Sequence, residues 1–509
     1  MKLSGAAPIE LNHHYPHRSL KLTLFSFPKT TSRRSLWTSI PLLLVALGVL
    51  NFSPVAAANT REQTQVQEPT LSAERLEQHI QSFEYIWKSI KANHWDPDLN
   101  GVDWDQAKAD LLPKVKEATT DNQARAVMNE LLERLEQSHF GIIPSSSYNR
   151  LEEESTVIDD SDSDESDDSD SDTDSDSDSD NMDDADPEPG YTGMNIRLIG
   201  DQFLVTKIMD GSPAARSGVK TGWIVKAIRG REMSSLIEVA SEIDGVMRPE
   251  TQAGLIMYSR LHGDTGDTID MTFLDGDDQT QERTLTFDKA PGVMGSVGEL
   301  PDMLIEVEAE TLEDGIGYFR LSMFMSPGTV LPTYQRFIKD HADAQGIVID
   351  MRGNFGGIIL MAPGMINWLI DEKGLTLGTM KMRDQVRGAF EIPLMLNPRR
   401  KNYTGKVAVL IDEMSISNAE ILAAGLKDIG RARIFGTRTA GLVLPSTVER
   451  LPNGDGFQYA FASYTTGGGY ILEGIGAIPD VDVQYTRKGL LDGHDEVLEA
   501  ATDWINSNE

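Results

Sequence analysis

The sequence predicts a multidomain α/β protein, and three observations carry that expectation. Its 509 residues exceed what one hydrophobic core ordinarily serves and point to about two to four units. Residues 71–143 hold apolar side chains at helical spacing, with Leu76, Ile80, Phe83, Ile86, Trp87 and Ile90 on one face. Residues 291–509 alternate buried strands with helices, and 190–290 between them read as short strands and turns.

Composition narrows the function. Apolar residues make up 39% of the chain, enough for a substantial core. The formal net charge of −34 argues against nucleic-acid binding, because a phosphate backbone would be repelled. The chain has no cysteine, which excludes disulfides, thiol nucleophiles and thiolate metal sites. Lys21, Lys29, Arg33 and Arg34 precede an apolar stretch at 40–50, followed by Pro54 and Ala56, Ala57 and Ala58. That order predicts a signal peptide over 1–58, cleaved after Ala58, and an exported protein in a periplasmic or extracellular location. Residues 36–58 are also just long enough to span a bilayer, so an uncleaved segment would be the one membrane contact.

Residues 59–70 form a polar linker. In the N-terminal helical region, 71–150, the first helix ends at "DPDLNG" and two more follow, the last with Asp121 as its expected N-cap. An acidic Asp/Ser-rich linker follows over 151–189. Its segment 159–186 holds sixteen acidic residues and no basic one. Such a segment buries too little to offset its ordering entropy, so disorder is expected. It lacks the glycine and the spaced ligands of a calcium loop.

Residues 190–290 begin with "GYTGMNIRL", a glycine-containing loop running into a strand. "SPAARSGVKTG" follows, and "DTIDMTFLDGDDQTQERTLTF" reads as a hairpin with "DGDD" at its turn. This stretch resembles a PDZ domain of the bacterial protease type. The resemblance implies a loop at Tyr191, Thr192, Gly193 and Met194 that binds a peptide carboxylate while the peptide adds to a sheet edge. Trp223 stands where such domains usually carry an acidic residue.

Two strand ends in the last region carry candidate chemistry. "IDMRGNFGG" runs from a buried strand into small residues whose N–H groups can point outward, as half of an oxyanion hole or simply as a tight turn. "IDEMSISNAE" places Ser417 at a strand-to-helix junction, where its Oγ would be exposed and the Asn418 N–H left without a helical acceptor. Ser-x-x-Glu is also the pattern of an ordinary capping box, and Ser415 is a competing nucleophile.

Together "GIGYFRLSMF", "GIVIDMRGNFGG", "VAVLIDEMSISNAEILAAGLKDIGRARIFGTRTAG" and "GIGAIPDVDV" resemble, in order, the S41 family of serine peptidases, the C-terminal processing and tricorn-like proteases. The resemblance implies a ClpP/crotonase-like α/β catalytic core and hydrolysis of protein or peptide substrates through an acyl-enzyme, without cofactor or metal. One branch of that family uses a lysine base after a G-x-x-T-x-G pattern. Here Gly436-Thr437-Arg438-Thr439-Ala440-Gly441 is followed by Leu442, which cannot accept a proton. The tricorn-like branch uses a Ser-His pair after its helical region and a glutamate before Gly-x-x-Pro-Asp. This chain has Ser138-His139, and Glu473 ahead of Gly476, Pro479 and Asp480. The resemblance therefore assigns Ser417 as nucleophile, His139 as base, Ser138 and Glu473 as its orienting partners, and Asn418 with Gly356 or Gly357 as oxyanion donors. Two alternatives remain: a lysine base from elsewhere, such as Lys381 or Lys401, or a non-catalytic peptide- or lipophile-binding protein on the same scaffold.

Overall fold

The structure, a computed structural model, describes residues 45–47, 69–148 and 188–507, apart from 243–245, 297, 302 and 385–387. The expected cleavage site and the acidic run lie outside the described residues.

The N-terminal helices are α1 (Ala73–Asn93), α2 (Trp104–Lys116) and α3 (Asp121–Glu133), followed by strand β1 (Gly141–Ile143). The apolar stripe of α1 buries Phe83, Ile86 and Ile90. The cap of α3 is Thr120 rather than Asp121: its extended backbone lets its Oγ1 accept the Gln123 N–H. Asp121 is drawn inward instead, accepting from Arg75 at 2.8 Å and sharing a 2.6 Å hydrogen bond with His79.

The middle unit is a sheet of β2 (Met194–Ile199), β3 (Gln202–Ile208), β4 (Ile224–Ile228), β5 (Thr268–Leu274) and β6 (Thr280–Thr286), ordered β6-β5-β4-β3-β2. The expected β5–β6 hairpin is present, with Leu274 opposite Thr280. Trp223 is buried against Phe273. Helices α4 (Met233–Glu242) and α5 (Pro249–Arg260), which the sequence reading did not anticipate, cover this sheet's core. Edge strand β2 lies beside α5, whose Gly254 sits against the Met414 side chain of the next unit.

That unit is built on β7 (Val307–Thr311), β8 (Gly317–Leu321), β9 (Gly346–Asp350), β13 (Lys406–Ile411), β14 (Arg433–Gly436) and β18 (Val481–Asp482), in that order across the sheet. All pairs are parallel except β7 with β8. Helix α6 (Pro327–Asp340) follows β8, and β10 (Gly356–Ile358) and α7 (Met361–Ile366) follow β9. Next come β11 (Thr376–Asp384) and β12 (Gly388–Met395), a hairpin extended by β17 (Ala462–Thr466). Helix α8 (Asn418–Asp428) leaves β13, and β15 (Ser446–Arg450) pairs with β16 (Gly456–Ala460).

Alternation along β13 explains its uninterrupted apolar run. Val407, Val409 and Ile411 enter the main core, while Ala408 and Leu410 face the opposite layer under α9 (Glu496–Asn506). The helical region has no core to itself: Phe83, Leu111 and Leu131 share one cluster with Leu444, just before β15, and with Phe457 and Tyr459 of β16.

Candidate active site

The two chemically loaded loops leave the C-terminal ends of neighbouring parallel strands, β9 and β13, where α/β sheets open their crevices. After β13 the chain turns through 412–416 and enters α8. Ser417 sits at the junction with φ 60 and ψ −114, a backbone region that L residues occupy only when their surroundings enforce it. Its Oγ is buried and has no hydrogen-bond partner among the described residues. Glu420 accepts the Ser417 N–H at 2.8 Å. Ser415 is engaged otherwise: its hydroxyl donates to the Met351 carbonyl at 2.8 Å and accepts the Asp412 N–H at 3.0 Å.

Asp412 joins the two loops. Its Oδ1 accepts the N–H groups of Gly353 at 2.8 Å and Met414 at 3.0 Å, and its Oδ2 accepts Arg197 Nε from β2 at 2.8 Å. In the glycine loop, Gly356 has φ 85 and Gly357 φ 130. A Cβ on Gly357 would lie 2.3 Å from the Phe324 carbonyl oxygen, so only glycine fits. The Gly356 N–H is already bound to Asn354 Oδ1 at 2.8 Å, which removes it as an oxyanion donor and leaves Gly357. Asn418 turns its Nδ2 to the Ile358 carbonyl, tying the start of α8 to β10.

His139 comes from the turn between α3 and β1. It is fully buried, with φ 64. Its Nδ1 lies 2.7 Å from Ser138 Oγ, which in turn is 3.0 Å from Glu473 Oε2. Glu473 also accepts the Ser138 N–H at 2.9 Å and the Val443 N–H at 2.9 Å. A carboxylate only accepts, so Ser138 directs its one proton to Glu473 and must accept from His139 Nδ1–H. This fixes the tautomer with the lone pair on Nε2, an atom that is buried and without a partner among the described residues. Burial pushes the imidazole down to about 3, so it is neutral at ordinary pH. Burial raises Glu473, against the hydrogen bonds it accepts from Val443 and Ser138.

The hydrogen bond expected between Ser417 and His139 is not formed; each presents an unpartnered polar atom. Such contacts often tighten only when substrate is bound. The two are nevertheless tied to consecutive residues, since Glu420 accepts the Leu442 N–H at 3.0 Å and Glu473 accepts that of Val443. Leu442 itself is in the main core. Lys427 is paired with Asp480 at 2.9 Å, and Lys381 and Lys401 are exposed whereas Ser417 is buried, so none is placed as a base.

Glu420 is the site residue the sequence reading undervalued. As the fourth letter of Ser-x-x-Glu it signalled a helix cap, yet it is fully buried and also accepts from Thr439 Oγ1 at 2.6 Å and Gly441 N–H at 2.7 Å.

Tyr191, Thr192, Gly193 and Met194 line a cavity between the middle unit and the α/β unit, together with Arg197 and Arg320, and Gly353, Phe355 and Met414 of the two loops reach the same cavity. Gly193 is held tight there, since a Cβ on it would sit 2.1 Å from Ser212 Cβ.

Residues 315–483 match the family model described as Peptidase family S41, and residues 77–133 match that of the Tricorn protease C1 domain. A probable CtpA-like serine protease of Staphylococcus haemolyticus is 24% identical over 292 residues, covering 57% of this chain and 52% of the relative. The tricorn protease of Thermoplasma acidophilum is 26% identical over 346 residues, covering 63% of this chain and 28% of that protein. The chain thus spans about half the length, or less, of these relatives. In fold it is similar to a photosystem II D1 C-terminal processing protease, at 19% identity and a TM-score of 0.50, covering 86% of this chain and 98% of that one. Mature CPAF gives 14% identity and a TM-score of 0.54, with 85% and 96% covered.

Proposed function

We propose that this chain is an exported serine peptidase that hydrolyses peptide bonds in proteins or peptides through an acyl-enzyme. The observation that carries the reading is the chain from Glu473 through Ser138 to His139, which leaves an unpartnered Nε2 in a chain whose family lysine position is Leu442. Ser417 Oγ attacks the scissile carbonyl carbon as His139 Nε2 takes its proton. The tetrahedral oxyanion is held by the N–H groups of Asn418 and Gly357. The C–N bond breaks as the imidazolium returns the proton to the leaving amine, and water repeats the sequence on the ester.

An extended substrate has a natural place. Residues Val45–Leu47 lie antiparallel to β10, with Ala46 opposite Gly357 and Val45 also opposite Ser446 of β15. The gap between β10 and β15 therefore accepts a peptide strand. Residues 190–290 act as a PDZ-like module, with the 191–194 loop taking a peptide terminus.

A fluorophosphonate probe, followed by hydrolysis of an unstructured peptide, tests the assignment. Wild type should be labelled at Ser417, and Ser417→Ala, His139→Ala and Glu473→Ala should each lose turnover. An unlabelled wild type indicates a non-catalytic binding protein, and full activity without His139 returns the base to a lysine.

A further inference from the structure

Ser417 and His139 lie on segments far apart in sequence, and catalysis needs their reacting atoms held within fractions of an ångström. A capping-box glutamate ordinarily sits at a helix surface and bonds the cap residue alone. Glu420 differs. Each of its oxygens takes two donors: Thr439 Oγ1 and Gly441 N–H on Oε1, Ser417 N–H and Leu442 N–H on Oε2. Three of the four come from outside its helix. Thr439 Oγ1 also accepts the Ala477 N–H at 2.6 Å, and the Gly474 N–H donates to the Gly441 carbonyl, so the turn carrying Glu473 is held to the same segment. Residues 439–443 are then a strut clasped by two buried carboxylates, one fastening the nucleophile and the other fastening the base.

We propose that Glu420 is a positioning residue that fixes Ser417 Oγ relative to His139 Nε2 through the 439–443 strut. The inference rests on Ser417 and His139 being nucleophile and base. The Ser417 N–H bond to Glu420 holds a backbone conformation that a serine does not otherwise favour, and with it the direction of Oγ. Glutamine at 420 would set its amide donor against the N–H groups of Ser417 and Leu442 in one orientation and against the Gly441 N–H in the other, so the clasp cannot be kept whole whichever way the amide is turned.

The test compares wild type with Glu420→Gln, Thr439→Val and the double variant. The readouts are thermal unfolding, the rate of fluorophosphonate labelling at Ser417, and kcat and KM on a peptide. Glu420→Gln should stay folded and lose about 10²-fold in kcat and in labelling rate, with KM changed less than about threefold. Thr439→Val, which touches no reacting atom, should lose less, and the double variant should be no worse than Glu420→Gln alone because both act through one clasp. Should Glu420→Gln fail to fold, the same comparison is made on Thr439→Val. Wild-type labelling and kcat in that variant, or in a folded Glu420→Gln, overturn the inference while leaving the nucleophile in place. So does a loss of activity accounted for wholly by loss of folded protein. An unlabelled wild type overturns the nucleophile itself, and this inference with it.

Discussion

At the scale of single residues, the contacts from Glu473 through Ser138 to His139 fix where their protons lie. Ser138 can donate only once, Glu473 can only accept, and so Nε2 of His139 carries the lone pair. The pH dependence follows from two buried groups with opposite consequences. His139 is pushed down to about 3 and does not titrate near neutrality. Glu420 is pushed up to about 7 by burial, against the four donors it accepts, and the charged side chain that shares its field is Arg248 at the start of α5. Above that value the carboxylate is ionised and holds all four donors. Below it, a proton on the carboxyl displaces one. Activity should therefore fall as pH drops through about 7, and a pH profile of kcat for Glu420→Gln should lack this limb while staying low throughout. A limb unchanged by the substitution would assign it to another group.

At the scale of elements, two buried positions carry the sharpest predictions. Gly357 lies between Phe324 and the face that accepts a strand, at φ 130. Gly357→Ala should cost about 1–3 kcal/mol of stability from the backbone alone, read as a lower urea midpoint. It should also cost about 10²-fold or more in kcat by moving an oxyanion donor. Leu442 is part of the core rather than a vacated catalytic position. Leu442→Lys in a His139→Ala background should melt earlier and regain no peptidase activity, because an ammonium there loses its hydration without a partner. Measurable turnover in that double variant would show that the lysine solution is still open to this scaffold. Much at this scale was legible in the sequence: the buried strand before each loop, the glycines after β9, and the helix beginning beside Ser417. The cap of α3 was misread by one residue because Asp121 looks like a cap but is claimed by Arg75 and His79, contacts across the fold that local pattern does not contain.

At the scale of the molecule, the helical region and the α/β unit are one folding problem. The β15–β16 hairpin buries Phe457 and Tyr459 against α1–α3, Arg125 holds Asp455 at 2.9 Å, and the same helices deliver His139. A chain starting at residue 188 should therefore expose that hairpin face and be poorly soluble, with no cooperative melt by circular dichroism. A soluble, cooperatively folding fragment would show the two regions to be independent. The middle unit is joined to the site by fewer but directed contacts: Arg197 to Asp412, Thr251 Oγ1 to the Glu413 carbonyl, and Gly254 against Met414. Helix α5, which supplies two of these, was not legible, because its buried face amounts to little more than Thr251, Ala253, Gly254 and Met257.

By itself the sequence determined the alternation of strand and helix, the glycine loop, the serine at a helix start, and the absence of a lysine at 442. Those are properties of local pattern and residue chemistry. Only the tertiary structure decided that Ser415 is engaged, that Gly356 has given its N–H to Asn354, and that Glu420 faces inward to four donors. Each of these depends on which distant groups meet in a buried space, where an unmatched donor or acceptor is costly and a matched one is held in place.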